Sequence, residues 1–420
     1  MDCRAGYQGK KGQLKILFVN QTFYPDLSAT AQQLTDLALG LSKTGHQVSV
    51  LTAQRGYVKP QELYPPAEIY QGIDIIRVWR FSLGRKSKWL RLLDAALLNL
   101  AFFLKMLWLP KADIVVALTS PPLVGFFACW VARLKRSKFI YWVMDMNPDE
   151  VIAMGWIGAG GITARLLETV SQWILKRSDK IVVLDRFMQK RVINKGALGN
   201  RVTVIAPWSH DGVKPMPHEK NPFRKQYGLE NQFVVMYSGN HSVCHPLDTL
   251  LEAARELQKE PGIRFVFIGG GARTADVRNF KQKYGLENIL QLEYQPRAGI
   301  PQSLSAADIH TVVMGENMAG IVHPSKIYGI LALGRPFLYI GPRESHVTDL
   351  LNNGAIGYSF LPGEVSQVVK AIQQAKSLSA GEREAIRQQN TKVAASLSKE
   401  TQMPRILDIF SSSQKGASSL

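Results

Sequence analysis

Lys326 is the side chain whose setting points most directly to chemistry. It lies in Val312 to Gly341, VVMGENMAGIVHPSKIYGILALGRPFLYIG, which reads as strand, loop, helix, turn and strand. Ile309 to Met314 is apolar and β-rich. Ser325 is placed to cap the helix that follows. Ile327, Ile330 and Leu331 recur at helical spacing and give it a buried face. Gly334, Arg335 and Pro336 stop it, because glycine takes the left-handed position and proline cannot continue the turn. Unpaired N–H groups at a helix start attract an anion. A lysine there opposes the helix dipole and calls for a negative partner. A diphosphate held by Pro324, Ser325 and Lys326 meets that need. Pro-Ser-Lys is a short string, and a solvated lysine on a surface helix is the plainer alternative.

Two glycine-containing loops can serve the same ligand. Phe233 to Gly239 is a strand that runs into Ser238-Gly239-Asn240-His241-Ser242, a small polar loop suited to phosphate or ribose, before Pro246 opens a helix. Arg264 to Ile268 is a strand ended by Gly269-Gly270-Gly271, where the backbone can approach a ligand closely. His241 and His245 have no carboxylate or cysteine partner at ligand spacing, so no metal site is expected. In the first half, Phe139 to Asp145 is a strand whose end carries Asp145, Asn147, Asp149 and Glu150. Carboxylates at the C-terminal end of such a strand are site candidates, and Asp145 and Asp149 are chosen. The bland alternative is that Asn147-Pro148-Asp149 is only a turn. The loop after the first strand offers Tyr24, Asp26, Ser28 and Thr30 to a substrate.

These residues need two open parallel sheets to carry them. Apolar runs such as Leu14 to Asn20 and Gln47 to Thr52 alternate with amphipathic stretches such as Ala29 to Lys43, which calls for an α/β fold with helices on both faces. The chain has 420 residues, more than one ordinary core. We read 1–13 as a disordered leader, 14–207 as a first domain, 208–396 as a second, 397–412 as a terminal helical segment with its helix at Met403 to Phe410, and 413–420 as a disordered tail. Pro207 to Pro217 reads as the linker.

The net charge is +18, which implies an anionic partner. The positive charges are scattered and no zinc-finger spacing occurs, so nucleic acid is not expected. Cys3, Cys129 and Cys244 are far apart and odd in number, which fits a reducing compartment rather than a disulfide framework. The first residues lack an apolar core, so no signal peptide is read there. Trp89 to Leu109 is long and apolar, but Arg91, Asp94, Asn99 and Lys105 oppose a membrane span. Arg85, Lys86, Lys88 and Arg91 flank it, with Trp89 and Trp108 near its ends, in the pattern of an interfacial helix on an anionic surface. The alternative is a helix packed on the sheet.

NQTFYPDLSATAQQLTDLALGLSKTGHQVSVLT, VMDMNPDE, YSGNHSVCHPLDTLLEAA, FVFIGGG and HPSKIYGILALGRPFLYIG together resemble the family 4 retaining glycosyltransferases. The similarity is greatest to the exopolysaccharide and O-antigen branch with its WbuB-like and colanic-acid transferases, and it covers about residues 14 to 410. It implies a GT-B fold, two Rossmann-like parallel-sheet domains facing a cleft. The second domain would bind a nucleotide-sugar donor, UDP- or GDP-linked, and the first a lipid-linked glycan acceptor. The implied reaction moves a hexose or N-acetylhexosamine with retention, without metal or cofactor, at the cytoplasmic face of the membrane. Lys326 would hold the donor diphosphate, Gly239, Asn240, His245, Gly269 and Gly270 would line its phosphate side, and Asp145 or Asp149 would orient the acceptor. The terminal helix would cross back to the first domain. Two family carboxylates are replaced here, by Ile321 and Gly329, and Glu316 is out of register. That departure keeps open a degenerate binding partner, beside a sugar-nucleotide epimerase of the same architecture.

Overall fold

The computed structural model describes residues 12–26, 28–56, 61–79, 88–209 and 214–415. Residues 1–11 and 416–420 of the expected leader and tail lie outside these, as do Arg85 and Lys86 and residues 210–213 of the linker.

The first lobe is an eight-stranded sheet. Its strands are β1 (Lys15–Val19), β2 (Gln47–Ala53), β3 (Ala67–Tyr70), β4 (Ile73–Val78), β5 (Ile114–Ala117), β6 (Lys138–Trp142), β7 (Lys180–Val183) and β8 (Val202–Val204), in the order β3-β4-β2-β1-β5-β6-β7-β8. All neighbours are parallel except the β3–β4 pair. The second lobe has β9 (Phe233–Ser238), β10 (Ile263–Ile268), β11 (Ile289–Leu292), β12 (Ile309–Val313), β13 (Phe337–Ile340) and β14 (Tyr358–Phe360), all parallel, in the order β11-β10-β9-β12-β13-β14. Central strands such as β9 and β12 are buried on both faces, as continuous apolar runs require in a helix-covered parallel sheet. The order reverses between β1 and β5 and between β9 and β12, and a crevice opens at such a reversal. This is the GT-B arrangement of two lobes.

Local sequence explains the helices that matter. Ser28 accepts a hydrogen bond from the Ala31 amide at 3.3 Å and starts the Ala29–Lys43 helix, which buries Leu34, Leu37, Ala38 and Leu41. The terminal helix is longer than Met403 to Phe410. It runs Lys399–Lys415 and continues into the stretch read as a disordered tail. It lies on the first lobe, with the Phe410 and Phe18 rings 6.3 Å apart and Lys399 Nζ 2.8 Å from Asp36. The start of the linker is tied to the same place: Trp208 Nε1 donates to Asp36 at 2.9 Å, and Gln33 donates to the Trp208 carbonyl at 2.8 Å. The β3 strand and the Arg186–Asn194 and Thr274–Tyr284 helices escape a reading by periodicity. The two helices bury only Met188 and Val192, and only Val277, so their apolar stripes are too thin to register.

Phe410 is buried against the first-lobe core. Phe410→Ala should therefore lower stability by about 3 kcal/mol or more, read as a lower urea midpoint for first-lobe unfolding.

Candidate functional site at the second-lobe switch point

Lys326 begins the Lys326–Ala332 helix, in the segment that follows β12. Ser325 does not cap it. Its backbone is already helical (φ −64°, ψ −13°) and its side chain makes no capping bond, since a cap needs an extended residue to turn its oxygen back onto the first N–H groups. The lysine itself reaches across the switch point to the end of β9. Its Nζ lies 3.5 Å from the centroid of the Tyr237 ring, a cation–π contact. The Nζ is buried and has no hydrogen-bond partner among the described residues. A Cβ placed on Gly239 would come within 3.2 Å of it. Burial lowers the Lys326 pKa to about 7.

The groups around this cation are neutral. His241 is held down to about 4 and His245 to about 3, in each case by burial first and then by the charge of Lys326. His310 on β12 is lowered to about 3 by burial, with Arg335 and Lys326 adding to it. A buried ammonium facing an aromatic ring and uncharged imidazoles lacks the anion that burial of a charge demands.

The glycine loops after β9 and β10 interlock beside it. Gly269 has φ +131°, and a Cβ there would lie 2.0 Å from the Gly239 carbonyl oxygen. Gly271 has φ +150°, and its Cβ would meet the Asn240 side-chain oxygen at 2.5 Å. The Tyr237 hydroxyl donates to the Asn240 carbonyl at 2.8 Å, and the Tyr294 hydroxyl to the Gly270 carbonyl at 3.1 Å. Gly239, Asn240, His245, Gly269, Gly270, Pro324, Ser325 and Lys326 thus come from the segments that follow β9, β10 and β12. A Cβ at Gly329 would meet nothing within 4 Å outside its own helix backbone. Ile321 is buried, and its carbonyl accepts from the Met146 amide of the first lobe at 2.8 Å. Glu316 is exposed.

On the facing lobe the acids divide by role. Asp145 is pushed up to about 8 by burial, with the charge of Glu150 adding to it. Burial also raises Glu150, and the Cys244 thiol of the second lobe donates to its Oε1 at 3.7 Å. Asp149 is engaged elsewhere, with Lys195 at 2.9 Å and Arg191 at 3.6 Å. Glu150 is the residue the choice of Asp145 and Asp149 passed over. Neighbours on a helix point about 100° apart, and only the register of the Asp149–Ala153 helix shows which of the two turns to the second lobe. The first-strand loop is occupied by structure. Tyr24 stacks on Tyr70 at 3.8 Å, Asp26 accepts from the Ser28 amide at 3.0 Å, and Ser28 caps the next helix.

One set of described residues has the composition of a metal site: Asp185, His323 and His346, with one ligand atom from each within 4.8 Å of the others. The sequence separates its members too widely for spacing to reveal them.

Comparison with known proteins assigns both lobes. Residues 28–208 match the glycosyl transferase 4-like domain and residues 219–393 match glycosyl transferases group 1. The chain is 26% identical over 379 residues to the putative colanic acid biosynthesis glycosyl transferase WcaI of Escherichia coli K12, covering 86% of this chain and 92% of that protein. HepE of Anabaena in complex with UDP and glucose superposes with a TM-score of 0.69 at 17% identity, over 95% of this chain and all (100%) of that one. Sucrose-phosphate synthase from Thermosynechococcus elongatus superposes with a TM-score of 0.73 at 13% identity, over 97% and 100%.

The two glycines should respond oppositely to alanine. Gly329→Ala fills open space within a helix and should leave stability unchanged or raise it by up to about 1 kcal/mol. Gly269→Ala drives a Cβ into the Gly239 carbonyl and should cost at least about 2 kcal/mol, both read from denaturation midpoints.

Proposed function

Because its two lobes belong to the glycosyl transferase 4-like and group 1 families, we propose that this protein moves a hexose or N-acetylhexosamine, with retention, from a nucleoside-diphosphate sugar to a lipid-linked glycan. The observation that carries this reading is the buried Lys326 ammonium, which has no hydrogen-bond partner among the described residues. A diphosphate supplies the missing negative charge, and it gains charge as the glycosidic bond to it breaks. A cation and N–H dipoles already in place stabilise that developing charge without reorganising. UDP is the favoured donor base, since HepE was crystallised with UDP and glucose.

The acceptor lies on the first-lobe side, at Asp145 and Glu150. Burial makes it costly for both to be ionised, so near pH 7 a proton stays on the pair. Such a pair accepts from one hydroxyl group and donates to another, which orients an acceptor sugar. The acceptor proton passes to the leaving phosphate on the same face. The lost carboxylate at Gly329 favours a second reading, a degenerate partner that binds no donor. Absence of any nucleotide binding would decide for it.

A membrane surface fits the lipid-linked acceptor. The Lys88–Trp108 helix buries Leu98, Phe102 and Met106 and exposes Leu93, Leu100, Leu104 and Trp108. On the packed neighbour Val124–Leu134, Trp130 and Leu134 are also exposed, and Trp130 lies 5.5 Å from Phe103. Ile162 and Leu166 continue the apolar surface on the adjoining Ile162–Arg177 helix. No helix among the described residues is long and apolar enough to cross a membrane. In this reading the protein docks at the inner face of the plasma membrane, with this apolar surface among the headgroups.

Calorimetric titration with UDP tests the donor site through pH. Lys326 is depressed to about 7 in the free protein, and a bound diphosphate raises it. Affinity should be greatest below pH 7 and fall about tenfold per unit as pH rises above it. Lys326→Met should weaken binding and flatten that dependence. Flotation with anionic vesicles tests the membrane surface. Neutralising Arg85, Lys86 and Lys88 removes about 1 kcal/mol each, so binding should fall on the order of 100-fold. The triple change Leu100→Ser, Leu104→Ser, Trp108→Ser should also release the protein.

A further inference from the structure

A buried polar chain joins the lobes beside the Lys326 segment. Asp185 follows β7 in the first lobe; His323 follows β12 in the second. Asp185 Oδ1 accepts from the Met188 amide at 2.8 Å, capping the Arg186–Asn194 helix. Its Oδ2 lies 2.7 Å from His323 Nδ1, and His323 Nε2 lies 2.7 Å from the Tyr328 hydroxyl. Burial opposes the charge on Asp185, but the bond from His323, the two imidazoles and the Met188 amide outweigh it and hold the acid at about 2. Tyr328 keeps its proton, because burial and the Asp185 charge raise its pKa well above 10.0. An ionised Asp185 fixes one end of the bridge, accepting from His323 Nδ1–H, and His323 Nε2 shares the second hydrogen bond with the Tyr328 hydroxyl.

Two histidines and a carboxylate are the composition of a metal site, but the geometry is not that of one. The rings of His323 and His346 stack at 3.7 Å with their planes 22° apart. Stacked rings send their nitrogen lone pairs side by side, whereas ligands must converge on one point. Both nitrogens of His323 are already engaged at hydrogen-bond distance. His346 Nδ1 stands 3.9 Å from the carboxylate, so that ring serves as a packing face for His323.

The segment leading to Lys326 is gripped along its length by the first lobe. The Met146 amide donates to the Ile321 carbonyl at 2.8 Å, and Arg191 Nε donates to the Ala319 carbonyl at 2.9 Å. Gly320, with φ +69°, sits so close that a Cβ would lie 2.7 Å from the Phe187 carbonyl carbon. Arg186 makes a bidentate pair with Asp349 at 2.6 and 2.8 Å. Tyr328, two residues beyond Lys326, is on the same short helix.

We propose that Asp185, His323 and Tyr328 are positioning residues, a hydrogen-bonded relay through which the first lobe fixes the Lys326–Ala332 helix and so the buried ammonium. The relay itself rests on geometry alone; its effect on UDP rests on the function proposed above.

Two variants test it by hydrogen exchange on the full chain. Tyr328→Phe keeps the ring and removes one hydroxyl; Asp185→Asn keeps the shape and removes the charge. Each should speed exchange in 319–328 and in 144–150 about tenfold or more, while β9 and β10 stay as in the wild type. In a UDP titration the variants should bind more weakly, with the pH midpoint moved up from near 7. A loosened helix lets water reach Lys326, whose neighbours Tyr237 on β9, His241 and His245 after it and His310 on β12 are unaltered. A merely structural role would lower stability without moving that midpoint. Unchanged exchange in 319–328 in both variants would overturn the relay. Stoichiometric binding of zinc chloride that His346→Ala abolishes would overturn it in favour of a metal site. If wild-type protein binds no UDP, the donor reading fails while the exchange result still decides the relay.

Discussion

A buried ammonium without an anion is the constraint around which the second lobe is arranged. Lys326 leaves water, faces the ring of Tyr237 and finds only neutral imidazoles nearby. Burial lowers its pKa to about 7, toward the neutral form, and an ammonium that persists there needs rigid surroundings and a negative partner. The interlocked glycine loops supply the rigidity. Gly269 lies so near Gly239 that a Cβ on Gly269 would collide with the Gly239 carbonyl, and a Cβ on Gly239 would crowd Lys326. The backbone therefore forms the wall of the site, and a ligand at the crevice meets main-chain groups and one cation.

The first lobe contributes in two ways. It supplies the acids Asp145 and Glu150, the latter hydrogen-bonded by Cys244 beside His245. It also holds the 319–323 segment through Met146, Phe187 and Arg191. The distance between Lys326 and the Asp145 and Glu150 carboxyls is thus set by the same contacts that set the lobe orientation. Ile321 illustrates this: its side chain is buried, and its backbone carbonyl joins the lobes by accepting from the Met146 amide.

Much of this was legible in the chain itself. Alternating apolar runs announced both parallel sheets, and Lys326 stood out because a lysine at a helix start needs explaining. The glycines after β9 and β10 were visible as loops, though only coordinates show that they touch. What stayed hidden depends on register or on distance along the chain. Asp149 and Glu150 are adjacent letters, and helix rotation alone gives one to Lys195 and the other to Cys244. Asp185 and His323 are 138 residues apart, so no spacing rule could pair them. Ser325 looked like a cap by type, and its helical backbone denies it that role. Helices with one or two buried side chains carried too little periodicity to be seen.

The terminal helix bears on how the protein comes off the ribosome. Phe410 packs near Phe18, and Lys399 pairs with Asp36, so the first lobe receives part of its core from residues translated after the whole second lobe. During synthesis that lobe can form its sheet, but the face that receives Phe410 and Lys399 stays uncovered until the second lobe has been made. Closure of the Lys399–Lys415 helix over that face is therefore a late event. It joins the two lobes into one cooperative unit, and a chain cut short before it leaves an adhesive surface for chaperones or proteases to find.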